Sequence, residues 1–367
     1  MVGKAKSPDY IIFFSVLALL SIGVVMVYSS SAVSAQVNFQ DQYYFLKRQL
    51  IWASLGLMVM FLTMSIDYHA WRKLAKPLLL GTIILLILVL IPGLGKVVNG
   101  ARRWLGFGSL YLQPSEIAKL SMVLFSAHSL TANQERITSF LKGLAPQLLL
   151  LLFVFGLILK EPDLGTALSI GGTVFILLFV AGARITHLAT LGAAGVVGII
   201  AAILVEPYRM KRLTAFSDPW ADPLDTGYHI IQSLYAIGSG GLFGVGLGRS
   251  REKFLYLPEP HTDFIFAILA EELGLIGTIT VLVLFFLFAW RGFRIAIAAP
   301  DLFGSILAAG LTTMIMLQAL MNIAVVTASM PVTGIPLPFL SFGGSALIFM
   351  LAGVGVLLNV SRYVSLK

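Results

Sequence analysis

The chain has 367 residues, of which 58% are hydrophobic and only 11% are charged, and its mean hydropathy is +0.93. Soluble globular proteins carry about 25% charged residues, so this composition excludes an ordinary water-soluble protein. It predicts one integral membrane domain over residues 1–367. The absence of cysteine excludes disulfides and thiolate chemistry. The net charge is +8, but the sequence has no long block of Lys and Arg residues, which disfavours nucleic-acid binding.

Apolar segments of about 20 residues, the length that a bilayer requires, predict the architecture. The first runs from Tyr10 to Gln40 without any charge and lacks a signal-peptide cleavage site, so it predicts a transmembrane helix. Further segments of about this length are residues 49–66, 77–95, 164–183 and 185–205. Shorter or interrupted candidates are residues 117–131, 143–159 and 263–290, and the uncharged stretch 302–361 is long enough for two helices that a proline-rich loop separates. The predicted fold class is therefore an all-α membrane protein with about ten spans.

Lys and Arg residues in the loops predict the orientation. An even number of spans places both termini on one side of the membrane. Short loops on that side carry twelve Lys and Arg residues against seven on the other, once the long loop 206–262 between spans 7 and 8 is set aside. The positive-inside rule then predicts cytoplasmic termini and an external loop 206–262. The remaining external positive charges suggest binding of an anionic group.

Ionisable residues at the edges of spans are functional candidates, because their desolvation must be offset by a partner or by water. Glu116 and Lys119 are three residues apart on one helical face and can pair, either for function or as a structural ion pair. Arg102 and Arg103 are adjacent in a predicted external turn. Guanidinium forks match phosphate oxygens, and contact with ordinary anionic lipid is the alternative. Asp163 could simply cap a helix.

The long loop leads to a candidate reaction centre. The bases Arg249, Arg251 and Lys253 precede Asp263, which heads a predicted span. A carboxylate that follows a cluster of bases at a membrane surface is a candidate general base. His261 is either a second titrating group or an ordinary loop residue.

A glycine-dense run at 238–248 in the same loop suits close backbone approach to a flat or phosphorylated group. It matches neither a Rossmann fingerprint nor a Walker loop, which argues against soluble nucleotide binding. The sequence also lacks the zinc-protease and serine-hydrolase motifs.

Five motifs together resemble those of the SEDS family of bacterial shape, elongation, division and sporulation proteins, which includes FtsW, RodA and SpoVE. They are NGARRW at 99–104, QPSE at 113–116, PDLGT at 162–166, PEPHTDFIF at 258–266 and GIPLPFLSFGGS at 334–345. The resemblance covers residues 7–363 and is closer to the FtsW and SpoVE branch than to RodA. At Glu161 relatives often carry Gln.

The resemblance implies a ten-span peptidoglycan glycosyltransferase. It would polymerise lipid II at the outer face of the cytoplasmic membrane, at the division or spore septum, beside a class B penicillin-binding transpeptidase. Asp263 would deprotonate the acceptor hydroxyl, and direct displacement would convert the α-linked donor into a β-1,4 glycan. The implied substrate-binding residues are Arg102, Arg103, Glu116, Lys119, Arg249, Arg251, Lys253, Glu259 and His261. No resident metal or cofactor is expected, and a divalent cation at the diphosphate is left open.

Two other classes of function compete with this interpretation. A lipid II flippase or transporter also needs intramembrane charges and a groove for an amphiphile, but it needs no general base beside phosphate-binding arginines. A non-catalytic scaffold for a transpeptidase needs neither feature. Polymer formation by the purified protein separates the three.

Overall fold

The computed structural model describes residues 7–98, 100–107, 110–254, 257–258 and 260–364. Asn99 and Glu259, which the sequence motifs include, lie outside these ranges. The α-helices are α1 (Tyr10–Phe39), α2 (Tyr44–Ser65), α3 (Tyr68–Leu90), α4 (Pro114–Ala132), α5 (Ala145–Lys160), α6 (Leu164–Val180), α7 (Ile185–Val205), α8 (Pro207–Ser217), α9 (Tyr228–Gly240), α10 (Ile265–Ala298), α11 (Leu302–Val326) and α12 (Ser345–Ser361). Short 3-10 turns cover Gln134–Arg136 and Pro219–Ala221, and a π-helical turn, Phe140–Leu144, leads into α5.

Long apolar helices dominate the described part of the chain, which confirms the predicted helical membrane class. Ten of the described helices have 16 or more residues, and each coincides with one of the ten apolar segments. By length and composition, seven described helices can cross a membrane: α1, α2, α3, α5 with its π-helical turn, α7, α10 and α11. The apolar helices α6 and α12 are shorter.

A small sheet stands where the sequence predicts only an external turn. Strands β1 (Gly95–Val98), β2 (Ala101–Phe107) and β3 (Leu110–Leu112) pair antiparallel in that order. β-Branched and aromatic residues favour strands, and the Asn-Gly pair at 99–100 is a hairpin signal. Gly100 has a φ of 77°, which glycine adopts without steric cost. The purely helical expectation is therefore wrong for this segment.

The helices differ widely in how much neighbouring protein covers them. Of the most apolar 18 residues in each span, 72% are buried in α11 but only 6% in α7. α11 is therefore an interior helix, and side chains from most other helices join its buried core. α7 lies at the periphery, where its side chains are left for lipid to cover.

α10 is interrupted at Gly274, whose φ of 65° and ψ of −160° are not helical. The chain 241–246 replaces the missing helical hydrogen bonds. The amides of Val245 and Gly246 donate to the carbonyls of Glu271 and Glu272 at 2.9 and 3.0 Å. The glycine-dense run thus approaches the backbone of α10 closely.

Candidate active site

Asp263 lies immediately before α10, where two sequence-distant motifs are joined by hydrogen bonds. Asn322 on α11 donates from Nδ2 to the backbone oxygens of Asp263 and Ile335, at 2.8 and 2.7 Å. Ser341 donates to the Thr262 carbonyl at 2.6 Å. The Phe342 amide donates to the His261 carbonyl at 2.9 Å. The backbone that carries the Asp263 carboxylate is therefore fixed on several sides.

The Asp263 side chain itself is half-buried and lies beside Gly334, where an added Cβ would be 3.6 Å from Oδ2. The N-cap position of α10 is Phe264. Asp263 is therefore the residue just before the N-cap of α10.

Asp163 fulfils the capping role that its position predicts. Its carboxylate accepts hydrogen bonds from the amide and hydroxyl of Thr166, at 3.1 and 3.0 Å, at the start of α6. Gln113, just before α4, donates from its side-chain Nε2 to the same carboxylate at 3.3 Å. Its backbone N–H donates to the Ser345 hydroxyl at 3.4 Å. The QPSE, PDLGT and C-terminal motifs thus meet at one place.

Arg102 and Arg103 diverge because adjacent residues of a strand point to opposite faces. Arg102 donates to the Leu90 carbonyl at 3.1 Å and so satisfies the C-terminal end of α3. Arg103 donates to the carbonyls of Glu161 and Pro162. The structure does not bring the two guanidinium groups to one phosphate, and only Arg103 faces the Asp163 side of the protein.

Glu161 is buried beside this arginine. Its loss of water and the nearby Asp163 charge raise the pKa of Glu161 to about 9, although Arg103 opposes the shift. The carboxyl group is therefore protonated and uncharged at neutral pH, as the amide of a glutamine would be.

The ion pair that the spacing of Glu116 and Lys119 predicts is present. The two groups are 2.8 Å apart and almost fully buried on α4. Lys119 also donates to Gln318 on α11, and Gln318 donates to the Pro336 carbonyl at 2.9 Å. The pair therefore braces the loop 334–342 against α11, and it is not open to a ligand in this structure.

Lys253 is buried rather than exposed with its neighbouring bases. Its ammonium lies 2.8 Å from Glu272, and Ser29 on α1 donates to the same carboxylate. Glu271 accepts from the Arg251 amide at 2.7 Å. These contacts attach the loop 249–254 to the interrupted region of α10. The charge of Lys253 is neutralised by Glu272 within the protein.

The remaining predicted residues lie near the surface. The side chains of Arg249 and Arg251 are exposed. The ring of His261 packs against those of Phe45 and Phe342, at centroid distances of 4.3 and 5.9 Å. Within the described ranges, no three His, Asp or Glu residues are grouped so that they could hold a metal ion.

Three polar residues near Asp263 were not among the sequence candidates. Gln318 and Asn322 are one helical turn apart inside an uncharged span, which is a signal that could have identified them. Arg212 on α8 interacts electrostatically with both Asp263 and Asp163. It lies among several basic residues of a long loop, and nothing in the sequence distinguishes it from these neighbours as a residue of the site.

Comparison with known proteins identifies the family. Residues 10–366 match the family FTSW_RODA_SPOVE, described as "Cell cycle protein". The chain is 53% identical over 363 residues to "Stage V sporulation protein E" of Bacillus subtilis (strain 168), with 99% of each chain covered. It is 45% identical to "Probable peptidoglycan glycosyltransferase FtsW" of Geobacter sp. (strain M18), with 98% of each chain covered. The chain belongs to the FtsW/RodA/SpoVE family.

Solved structures agree with this assignment. The chain resembles the crystal structure of the rod shape determining protein RodA of Thermus thermophilus at 33% identity and a TM-score of 0.72, with 98% of each chain covered. A second structure, described as "Structural coordination of polymerization and crosslinking by a peptidoglycan synthase complex", gives 33% identity and a TM-score of 0.79, with 97% of this chain and 98% of that chain covered. The predicted family and glycosyltransferase class are thus confirmed.

Proposed function

We propose that this chain polymerises lipid II into β-1,4 glycan strands at the outer face of the cytoplasmic membrane. The position of Asp263 carries the proposal. It is a half-buried carboxylate with its backbone fixed by α11 and the loop 334–342, and it lies within electrostatic range of Arg212. A general base needs this combination of access and fixed position.

The proposed reaction is a direct displacement at the donor sugar. The acceptor hydroxyl oxygen forms a bond to the donor anomeric carbon while the bond from that carbon to the diphosphate oxygen breaks. The electron pair leaves with undecaprenyl diphosphate, and the hydroxyl proton moves to an oxygen of Asp263. Attack opposite the leaving group inverts the α-linkage to a β-linkage.

The structure sorts the predicted substrate-binding residues by accessibility. We assign contacts with anionic parts of the substrate to the exposed Arg249 and Arg251, and to Arg103, which donates to backbone carbonyls like Arg102 but lies on the Asp163 side of the protein. His261 is half-buried next to Asp263, and Glu259 lies outside the described residues. We assign supporting roles to four other residues whose charges are buried or bound to backbone: Arg102, Glu116, Lys119 and Lys253.

The proposed setting is a single membrane domain over residues 1–367 with ten spans, cytoplasmic termini and an external loop 206–262. The loop charges and the outward presentation of the substrate sugars support this orientation. The likeness to a peptidoglycan synthase complex supports a class B penicillin-binding transpeptidase as partner. The likeness to a sporulation protein and to FtsW supports action at the spore or division septum.

Purified protein incubated with lipid II, with and without the partner transpeptidase, tests the proposal. We expect polymeric glycan from the wild type. Asp263→Asn keeps the size of the side chain but cannot accept the proton, so the polymerisation rate should fall by about 10²–10⁴-fold. Lipid II binding and association with the partner should persist.

Ser217→Cys, on the exposed end of α8, is a matched control that should polymerise normally. An Asp263→Asn protein that polymerises at the wild-type rate contradicts the assignment of the base. Transport of lipid II by wild-type protein without any glycan product indicates a flippase instead. A protein that only recruits the transpeptidase is a scaffold.

A further inference from the structure

Aromatic side chains gather where α1 ends and α2 begins. Phe39 stacks on Tyr44, with ring centroids 3.8 Å apart and ring planes within 5° of parallel. Tyr43 stacks on Tyr28 of α1 at 5.5 Å and 6°. Phe39 and Tyr43 nevertheless remain 46% and 43% exposed. We call Phe39, Tyr43, Tyr44 and Phe45 the aromatic corner, which offers two partly open rings to a ligand.

The segment 36–42, from which these rings project, lies outside the hydrocarbon of the bilayer. α1 has 30 residues and is therefore about 45 Å long, whereas the hydrocarbon core is about 30 Å thick. The last turn of α1 exposes Gln36 and Asn38. The connection to α2 exposes Gln40 and Gln42. Amide side chains are costly to bury in hydrocarbon, so the exposed rings face water or headgroups rather than lipid tails.

The aromatic corner continues into the candidate active site. Phe45 packs against Phe39 and Tyr44, at centroid distances of 5.8 and 5.2 Å. Phe45 also contacts the rings of His261 and Phe342, at 4.3 and 5.2 Å. The backbones of those two residues are hydrogen-bonded to each other beside the candidate base. An unbroken series of ring contacts therefore connects the exposed end of α1 with the reaction centre.

Polar contacts order the aromatic corner, and an arginine gives it a positive charge. The Asp41 carboxylate accepts hydrogen bonds from the Tyr43 amide and from Lys47, at 3.0 and 2.7 Å, which fixes the connection between the two helices. The guanidinium carbon of the exposed Arg48 lies 4.5 Å from the centroid of the Tyr44 ring. A guanidinium group carries five N–H donors, so Arg48 can also bind a carboxylate.

Sugar rings are the ligands that this combination suits. One face of a pyranose ring presents C–H groups, which make favourable contacts with the negative face of an aromatic ring. The hydroxyl and amide groups at the edge of the sugar can stay in water. Peptidoglycan sugars also carry acidic peptides, whose carboxylates an arginine binds. Aromatic residues at a membrane interface can instead be anchors for the span, and the experiments below separate the two roles.

We propose that the aromatic corner binds sugar rings of the growing glycan strand outside the reaction centre. The inference rests on the proposed function. The two sugars that react must meet at Asp263, whereas sugars joined in earlier cycles lie further along the strand. Phe39 and Tyr43 are separated from the reaction centre by Phe45, so they meet these earlier sugars. A strand that stays bound there is extended again before it dissociates, so the aromatic corner lengthens the product.

The length of the strands tests this role. Phe39→Leu keeps an apolar side chain but removes the flat ring, whereas Phe39→Tyr keeps the ring. Each protein polymerises lipid II until the same fraction is consumed, and product lengths are compared by gel electrophoresis. We expect the mean strand to be several-fold shorter for Phe39→Leu and for Tyr43→Leu. Phe39→Tyr should restore most of the length.

Phe14→Leu is the matched control. Phe14 is 60% exposed on the same helix, but it lies near the opposite end of α1 and outside the aromatic corner. Its replacement should leave the strand length unchanged. Equal strand lengths from Phe39→Leu and Phe14→Leu overturn the proposal. Equal shortening by Phe39→Leu and Phe39→Tyr also overturns it, because the flat ring is then not what holds the strand.

Binding of a soluble sugar chain tests the aromatic corner without turnover. Chitotetraose, a β-1,4-linked tetramer of N-acetylglucosamine, is added to the protein in phosphatidylcholine nanodiscs. Saturation-transfer NMR with irradiation of aromatic protons then reports contact between rings and sugar. We expect a signal with the wild type that falls several-fold in a Phe39→Leu, Tyr43→Leu double variant. A wild-type signal no larger than that of empty nanodiscs overturns the proposal. An undiminished signal in the double variant identifies the rings as membrane anchors and also overturns it.

Failure of the proposed function gives a different pattern of results. Wild-type protein would then make no glycan from lipid II, and chitotetraose binding alone decides whether the aromatic corner binds sugars. If the wild type polymerises lipid II while Phe39→Leu and Tyr43→Leu leave strand length and sugar binding unchanged, only the proposal for the aromatic corner fails.

Discussion

Glu161 shows how burial changes the chemistry of a single residue. Neither carboxylate oxygen has a hydrogen-bond partner among the described residues, and the side chain is fully buried. Its pKa is about 9 in the folded protein against the usual 4.5. Between these two values the folded state binds a proton that the unfolded state releases. The free energy of unfolding must therefore fall as the pH rises through this window.

Glu161→Gln should remove this pH dependence. The amide stays neutral, so the variant and the wild type should be similarly stable below pH 4.5, where the carboxyl is mostly protonated in both states. The variant should become the more stable of the two as the pH approaches 9, because each pKa unit is worth about 1.4 kcal/mol. Thermal unfolding in detergent across this pH range measures the difference. Parallel pH profiles for the two proteins would show that Glu161 is ionised when folded.

Glu116 and Lys119 should behave as one unit. Either single alanine variant leaves a buried charge without its partner, which costs about 3–5 kcal/mol. The double variant should lose less than the sum of the two. Thermal unfolding of all four proteins completes the cycle, and Lys47→Ala, from the exposed pair with Asp41, is a control with little expected effect. Additive losses would show that the two buried groups do not interact.

At the scale of elements, the interruption of α10 depends on two glycines. A Cβ added to Gly244 would lie 2.2 Å from the carbonyl oxygen of Glu272. A Cβ added to Gly274 would lie 2.3 Å from the backbone nitrogen of Gly244. Both residues also have positive φ, at 78° and 65°. The loop and the helix can approach so closely only because neither side carries a side chain there.

Gly244→Ala should therefore destabilise the protein by about 1–3 kcal/mol or more, because the clash is with backbone that cannot rotate away. It should also lower polymerisation, since the loop no longer fixes the first part of α10. Gly238→Ala is the matched control: it lies within α9 with no atom near its added Cβ, and alanine favours helix. Unfolding temperature and lipid II polymerisation are measured for both. Equal stability of the two variants would show that the loop moves away from α10 without cost, which contradicts this prediction.

Local patterns predicted the elements that depend on hydrophobic length. The uncharged stretch 302–361 divides into α11 and α12 around its prolines, as expected. The interruption of α10 was not predictable, because Gly274 and Gly277 look alike in an apolar run and only Gly274 leaves the helical conformation. What differs is the loop that packs against it, which is a tertiary contact.

The site was predictable as a set of motifs but not as an arrangement. Asp263 was singled out by its position after a cluster of bases. Only the fold shows that Lys253 is buried against Glu272 and that the strand separates Arg102 from Arg103. Arg212 joins the site through the fold of α8, which the long loop did not reveal.

At the scale of the whole molecule, the orientation can be tested directly, because the chain has no cysteine. Ser217→Cys on α8 should react with a membrane-impermeant maleimide in intact cells. Lys142→Cys, in a short loop predicted to be cytoplasmic, should react only after permeabilisation. Labelling of the second variant but not the first in intact cells would reverse the topology.

The interruption at Gly274 also affects how the enzyme responds to its membrane. A span adjusts to a thicker or thinner bilayer by tilting. Residues 275–298 provide that span, whereas Asp263 precedes the separate half-helix 265–273, which is held by the adjoining loop. We therefore expect the span to tilt without carrying the carboxylate along, so that one chain can keep the same reaction geometry in membranes of different lipid composition.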